Sequence, residues 1–92
     1  MIKSFADKDT EKVFNGGRSK KFDHIKSVAF RKLAMVHTAQ SLTDLKAPPA
    51  NKLEALIDDR VGQHGIRIND KYRVCFVWKD DGAHDVEIVD YH

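Results

Sequence analysis

The sequence contains only one cysteine, Cys75, and only two prolines in 92 residues. One thiol cannot form a disulfide within the chain, and no cysteine–histidine cluster has the spacing of a zinc site. We therefore expect no structural metal and no cofactor. The longest apolar run, residues 74–78, is far too short to cross a bilayer, and the first residues lack the apolar segment of a signal peptide. These absences predict a cytoplasmic protein that makes no contact with a membrane.

The composition, 41% hydrophobic and 33% charged, is typical of one ordinary globular domain, which we place over residues 1–92. The charge is unevenly distributed along the chain. Residues 1–32 hold nine Lys and Arg against four Asp and Glu, whereas residues 33–92 hold seven against ten. A basic first part suits docking to a polyanion, but it is also typical of a solvated helical surface. Three of the cations, Arg18, Lys20 and Lys21, lie in a glycine-containing loop that could hold phosphates.

The first half of the chain predicts one short strand and two helices. Apolar and polar residues alternate over residues 2–5, which predicts a strand. A short helix is predicted over residues 9–14, with Asp9 as its N-cap. Asp23 is the predicted N-cap of a longer helix that runs to about Ala39 or Ser41. Leu33 and Met35 are expected at the margins of its apolar stripe. The residues of this stripe are Ile25, Val28, Ala29, Val36 and Ala39.

The second half predicts an antiparallel sheet. A connection that contains Pro48 and Pro49 leads to a strand over residues 52–56. Three segments rich in β-branched and aromatic residues then follow between residues 66 and 92, separated by polar turns. The order β-α-α-β-β-β-β predicts an α+β fold, in which two N-terminal helices pack on an antiparallel sheet of four to five strands.

The register of the sheet predicts an unusual pair of arginines. A three-residue loop over residues 69–71 places Ile66 opposite Val74 and Arg67 opposite Arg73. Like charges directly opposite each other cost roughly 0.2–1 kcal/mol. The arrangement therefore indicates either an anion-binding face or two arginines that each pair with a carboxylate, such as Glu54 or Glu87.

The last three residues, Asp90, Tyr91 and His92, can all exchange protons. Strict alternation in a strand would place Tyr91 on the face opposite to the other two. All three can enter one cleft only if the strand ends, bends or bulges near Asp90.

These segments resemble the HigB toxins of the RelE/ParE superfamily of bacterial toxin–antitoxin systems. The resemblance covers essentially the whole chain. It is carried by Met1-Ile2-Lys3-Ser4-Phe5, Pro48-Pro49-Ala50-Asn51, Leu53-Glu54-Ala55-Leu56, Asp59-Arg60, Gly62-Gln63, Ile66-Arg67-Ile68-Asn69-Asp70, Tyr72-Arg73-Val74-Cys75-Phe76 and Val86-Glu87-Ile88-Val89-Asp90-Tyr91-His92.

The resemblance implies a RelE-like fold and a metal-independent endoribonuclease, an mRNA interferase that cuts mRNA in the A site of the 70S ribosome and inhibits translation. It also implies a HigA-type helix-turn-helix antitoxin as partner, with operator DNA bound only through the toxin–antitoxin complex. The sequence departs from some relatives at two positions. Glu54 stands where certain HigB proteins carry a catalytic histidine, and Ile57 stands where a lysine is common.

The resemblance places catalytic residues at Arg73, Asp90, Tyr91 and His92, with Glu54 as a further candidate. In RNA cleavage the 2′-hydroxyl is the nucleophile, so the enzyme needs a base, an acid and a group that stabilises charge on phosphorus. We expect Asp90 or Glu54 as the base and His92 as the acid. Arg73 would then hold the phosphate, and Tyr91 would orient the RNA or stack on it.

The residues expected to bind RNA or the ribosome are Arg67, Arg18, Lys20, Lys21 and Lys52. Two other functions stay open at this point. The first is a toxin that does not cleave RNA, like the gyrase-inhibiting ParE branch. The second is an inactive module that binds only the antitoxin and the operator DNA.

Overall fold

The computed structural model describes residues 1–90 and has the predicted α+β architecture. Two helices, α1 and α2, pack against a sheet of four antiparallel strands in the order β1-β2-β3-β4. The bounds are α1 Lys8–Phe14, α2 Lys26–Thr38, β1 Glu54–Ala55, β2 His64–Arg67, β3 Tyr72–Lys79 and β4 Gly82–Asp90, with 3-10 turns at Asp23–Ile25, Leu42–Lys46, Pro49–Asn51 and Asp58–Arg60. Among these residues, no helix is both long enough and apolar enough to cross a membrane.

Helix α1 is capped by Asp7, so the prediction of Asp9 as its N-cap is wrong. The Asp7 carboxylate accepts hydrogen bonds from Thr10 N at 3.0 Å and from Thr10 Oγ1 at 2.6 Å. Asp9 lies in the first turn of the helix and accepts a hydrogen bond from Ser19 Oγ at 2.8 Å. An N-cap side chain must reach the amide three residues ahead, and the hydroxyl of Thr10 gives Asp7 a second donor there.

Helix α2 is shorter than predicted at both ends. A 3-10 turn, Asp23–Ile25, precedes it, and Asp23 accepts a hydrogen bond from Ser19 N rather than capping α2. Leu33, which was predicted at the margin of the apolar stripe, is fully buried. The stripe is wider than periodicity suggested because α2 also lies against the 3-10 turns that follow it, where Leu45 is buried in the same core.

The predicted register of β2 and β3 is confirmed. Ile66 lies opposite Val74 and Arg67 lies opposite Arg73. The core lies between α2 and the face of the sheet that carries Ile66, Val74 and Phe76. Strand β1 has only two residues, fewer than the five predicted over residues 52–56, and Lys52 cannot belong to it because its backbone has a left-handed φ of 46°.

The N-terminal segment closes the outer edge of β4. Ile2 and Phe5 form isolated parallel bridges with Ala83 and Val86, rather than the full strand predicted over residues 2–5. Further along the same edge, Ile88 N donates to the buried Thr10 Oγ1 at 2.9 Å. The edge amides of β4 therefore have partners from the segment that leads into α1, which protects this side of the sheet from pairing with another chain.

The irregularity of β4 lies at Asp85, not near Asp90. The register shifts between Cys75 and Val77, and Asp85 has a φ of 52°. Ser4 accounts for this position, because its hydroxyl accepts a hydrogen bond from Asp85 N at 2.9 Å. Pairing then continues regularly to Asp90, which lies opposite Tyr72. Tyr91 and His92 lie outside the described residues.

Candidate functional site

The helices cover one face of the sheet, and a cluster of charged residues lies on the other. We call this cluster, together with the buried residues beneath it, the open face. Alternation along the strands places these side chains opposite to the core, since Arg67 pairs with Arg73 and Cys75 pairs with Glu87. Arg60 joins them from the 3-10 turn that follows β1. The open face consists of Glu54, Leu56, Arg60, Gly65, Arg67, Arg73, Cys75 and Glu87.

The floor of the open face is apolar. Gly65 and Cys75 are buried, and Leu56 packs over Gly65. Burial raises the pKa of the Cys75 thiol to about 11, and the charges of Arg60 and Glu87 act on it in opposite directions. The thiol is therefore neutral near neutral pH and is a packing group rather than a nucleophile.

Two ion pairs lie above this floor. Arg73 Nε lies 3.5 Å from Glu54 Oε1, and Arg60 Nη1 lies 3.1 Å from Glu87 Oε1. The Glu54 side chain is 45% exposed and can be reached from solvent, whereas the Arg73 side chain is 20% exposed and its Nε and Nη1 are buried. All four charged side chains act on the Cys75 thiol: the two arginines lower its pKa and the two glutamates raise it.

The predicted repulsion between Arg67 and Arg73 is relieved by carboxylates. Arg73 pairs with Glu54, which is one of the two partners considered from the sequence. Arg67 instead pairs with Asp70 in the turn between β2 and β3. Partly exposed pairs of this kind contribute about 0–1 kcal/mol, so a phosphate could replace either carboxylate at little cost. Carboxylate pairing and anion binding are therefore compatible on this face.

The structure brings together some of the predicted catalytic residues and separates others. Glu54 and Arg73 are neighbours on the open face. Asp90 lies opposite Tyr72, whose ring contacts Phe22 and His24 on the helical side, and Asp90 pairs with Lys71 Nζ at 3.7 Å. The register thus places the side chain of Asp90 on the other face from Arg73. Tyr91 and His92 cannot be placed, because they follow the last described residue.

The predicted RNA-binding cations lie in two places. Lys52 is exposed, two residues before Glu54. Arg18, Lys20 and Lys21 are exposed on the loop between the helices, which is anchored by the buried Ser19 and Phe22. This loop ends beside Tyr72, where a cleft of about 400 Å³ is lined by His24, Asn69, Asp70, Lys71 and Tyr72.

Sequence reasoning did not find Arg60 as a residue of this site. The Asp59-Arg60 dipeptide was noted only as part of the resemblance, and it lies between the strand predicted over residues 52–56 and the first segment of the predicted meander. A turn residue gives no periodic signal that would place its side chain on one face of the sheet. Among residues 1–90, no group of three or more His, Cys, Asp or Glu side chains is arranged to hold a metal ion.

Comparisons with known proteins place the chain among bacterial toxins. The profile described as "RelE-like toxin of type II toxin-antitoxin system HigB" matches residues 3–92. Toxin HigB-1 of Vibrio cholerae serotype O1 is 34% identical over 85 residues, which cover 90% of each chain. An uncharacterized protein of Haemophilus influenzae is 32% identical over 59 residues, which cover 64% of this chain and 58% of the relative.

The match confirms the resemblance that the sequence motifs indicated, and it extends over nearly the whole chain. A toxin of a type II system is paired with an antitoxin, so the match also implies an antitoxin partner for this protein. The chain therefore belongs to the HigB-like toxin family, the RelE-like toxins of type II toxin–antitoxin systems.

Proposed function

We propose that this toxin is a ribosome-dependent endoribonuclease that cuts mRNA in the A site without a metal ion. The observation that carries the proposal is the Arg73–Glu54 pair on the open face, with Nε and Oε1 3.5 Å apart. A guanidinium beside an accessible carboxylate supplies two of the three groups that cleavage by the 2′-hydroxyl needs. Membership of the HigB-like family supports the same reaction class.

In this mechanism Arg73 holds the scissile phosphate. Its planar guanidinium can donate to two phosphate oxygens and stays charged, so it stabilises the negative charge that builds up on phosphorus. Removal of one such charge-stabilising group from an active site typically costs about 10²–10³-fold in rate. Arg67, which lies directly opposite Arg73, adds positive charge at the same position along the sheet.

Glu54 is the base in this proposal. The sequence left the choice between Glu54 and Asp90 open, and the contact of Glu54 with Arg73 favours Glu54, whereas Asp90 contacts Lys71. A base of this kind must reach the 2′-hydroxyl next to the phosphate that the arginine holds. His92 as the acid and Tyr91 as an orienting or stacking group remain predictions from the family resemblance.

The partners follow from the same proposal. Lys52, Arg18, Lys20 and Lys21 are exposed cations that would contact the backbone of mRNA or ribosomal RNA. The antitoxin would be a HigA-type helix-turn-helix protein, and operator DNA would be bound only by the toxin–antitoxin complex.

The test is translation of a defined mRNA in a purified system, followed by mapping of the mRNA 5′ ends. The unaltered toxin should produce cuts at ribosome-bound codons, and Arg73→Ala and His92→Gln should abolish them while still binding the antitoxin. Arg31→Ala removes an exposed cation from α2 and should leave cleavage unchanged. Undiminished cleavage by Arg73→Ala and His92→Gln would remove the catalytic assignment.

Induction of the toxin in cells that lack the antitoxin, with mRNA ends mapped in the same cells, separates the other two functions. Growth arrest without any mRNA cut would favour a toxin that acts like the gyrase-inhibiting ParE branch. No growth arrest in cells that lack the antitoxin would favour an inactive binding module.

A further inference from the structure

We propose that Arg60 is a second phosphate-binding residue of the open face, one that holds the RNA backbone beside Arg73. This inference rests on the proposed nuclease function and extends it to a residue that the family comparison does not assign. It adds a guanidinium group to those of Arg67 and Arg73 on the open face.

The turn that carries Arg60 directs its side chain back over the sheet. Asp58 has a φ of 57° and Gly62 has a φ of 95°, so the backbone reverses on both sides of Arg60. Arg60 Nη1 then donates to Gln63 Oε1 and to Glu87 Oε1, both at 3.1 Å. Glu87 belongs to β4 and pairs with Cys75, so the Arg60 side chain extends across the open face toward the strand at its far side.

The guanidinium of Arg60 has donors available for an anion. Within residues 1–90 its hydrogen bonds all start at Nη1, which leaves the edge formed by Nη2 and Nε for a ligand. The side chain is 28% exposed, so a backbone phosphate can reach it. Two parallel N–H donors on one planar edge match two phosphate oxygens.

Glu87 is the competitor that RNA must displace from Arg60, as Glu54 is for Arg73. Both are partly exposed ion pairs, and the Glu87 side chain is 32% exposed. Such pairs contribute little net stability, so exchange of the carboxylate for a phosphate is favourable once the RNA is bound elsewhere on the face.

The experiment measures binding of a single-stranded 2′-O-methyl oligoribonucleotide, which cannot be cleaved by attack of a 2′-hydroxyl. Fluorescence anisotropy is recorded at several salt concentrations for the unaltered protein, Arg60→Met, Arg73→Met and the control Arg31→Met. Loss of one phosphate contact should weaken binding about tenfold and lower the magnitude of the slope of log K against log salt by about 0.7. We expect both effects for Arg60→Met and Arg73→Met, and neither for Arg31→Met.

Glu87→Gln gives an independent test that keeps Arg60 and its turn intact. If Glu87 competes with RNA, this variant should bind the oligonucleotide more tightly than the unaltered protein. A residue that only held the turn in place would change the resistance to urea but not the salt slope. Tighter binding by Glu87→Gln would therefore support the proposal even if Arg60→Met were destabilised.

The outcomes distinguish this inference from the proposed function. An unchanged affinity and slope for Arg60→Met, with a reduced slope for Arg73→Met, would overturn the role of Arg60 and leave the nuclease site standing. Unchanged slopes for both variants, or no binding by the unaltered protein, would overturn Arg60 as a phosphate ligand, whereas the nuclease function stands or falls by the mapping of mRNA ends on the ribosome. Weaker binding by Glu87→Gln would also count against Arg60 as a ligand.

Discussion

The two faces of this small sheet have opposite characters, although adjacent residues supply them. On β3, Val74 and Phe76 are fully buried against the helices. Arg73 on the same strand is partly exposed on the other face. The same alternation separates Ile88 from Glu87 on β4. Because successive side chains of a strand point to opposite faces, one strand can stabilise the fold and carry the chemistry at the same time. Substitutions on the two faces should therefore separate stability from toxicity, and the expected changes in the free energy of unfolding are ordered below from the largest to the smallest.

Phe76→Ala should destabilise the protein most, by about 3–5 kcal/mol, because it removes a large side chain from the centre of the covered face. Urea unfolding followed by circular dichroism measures this change. For a chain of this size the loss is a large part of the total stability. A loss below about 1 kcal/mol would show that the covered face does not hold the fold together.

Lys32→Met tests a polar contact within the covered side. Lys32 is only 6% exposed, and its Nζ donates to Oδ1 of the buried Asn51 at 2.6 Å. Asn51 in turn donates to the carbonyl oxygens of Leu45 and Ala47, so this contact links α2 to the connection that leads into β1. Methionine keeps the packing but leaves the amide oxygen without its donor, which should cost about 1–3 kcal/mol in urea unfolding. An unchanged midpoint of urea unfolding would mean that a water molecule replaces the ammonium group as the donor to Asn51.

The buried Cys75 predicts a loss of stability at high pH. Burial raises its pKa from 9.0 to about 11, so the unfolded chain loses the thiol proton at a lower pH than the folded protein does. This contribution to stability is complete below pH 9 and is lost as the pH rises toward 11. The free energy of unfolding should fall by about 1.4 kcal/mol by pH 10, a shift equivalent to one pKa unit.

Cys75→Ala is the control for this pH dependence. The free energy of unfolding of the two proteins is measured with urea at pH 8 and pH 10, and the difference between them gives the contribution of the thiol. Burial lowers the pKa of Lys32, so Lys32 makes the free energy of unfolding rise with pH. This effect is the same in both proteins and cancels in their difference. Parallel pH profiles would show that the thiol is not protected from ionisation.

Arg73→Ala should have the smallest effect on stability and the largest on toxicity. It removes a partly exposed ion pair with Glu54, which is worth at most about 1 kcal/mol. Growth arrest on induction without the antitoxin should nevertheless disappear, while urea unfolding stays close to that of the unaltered protein. If Arg73→Ala and Phe76→Ala were equally destabilised, the separation of the two faces would fail.

Much of the fold could be predicted because its signals are local. Alternation gave the meander, and the requirement that apolar residues share one face gave the register that pairs Arg67 with Arg73. Errors occurred where two residues could satisfy the same local rule. Asp7 and Asp9 are both capable N-caps, and only the position of the Thr10 hydroxyl, itself held by Ile88 N, separates them.

The candidate site was less predictable than the fold. Glu54 and Arg73 were named in advance, and Glu54 was one of two carboxylates considered as a partner, but nothing local decided between Glu54 and Glu87, because the contact with Arg73 crosses the intervening strand β2. Asp90 lies opposite Tyr72 and pairs with Lys71, and its catalytic role stays a prediction; the bulge of β4 lies at Asp85. A bulge depends on contacts with another segment, here Ser4, and is not visible in the pattern of β4 alone.

The sequence by itself determined the elements, the apolar face of each strand and the pairing of β2 with β3, because these depend on period and turn length. The tertiary structure decided which charges share the open face. Arg60 and Glu87 are separated by 26 residues in the chain, and their contact exists only because a turn after β1 reaches across β2 and β3 to β4. Ion pairs between distant segments depend on where whole elements lie relative to one another, and that is set by packing of the core rather than by the residues that form the pair.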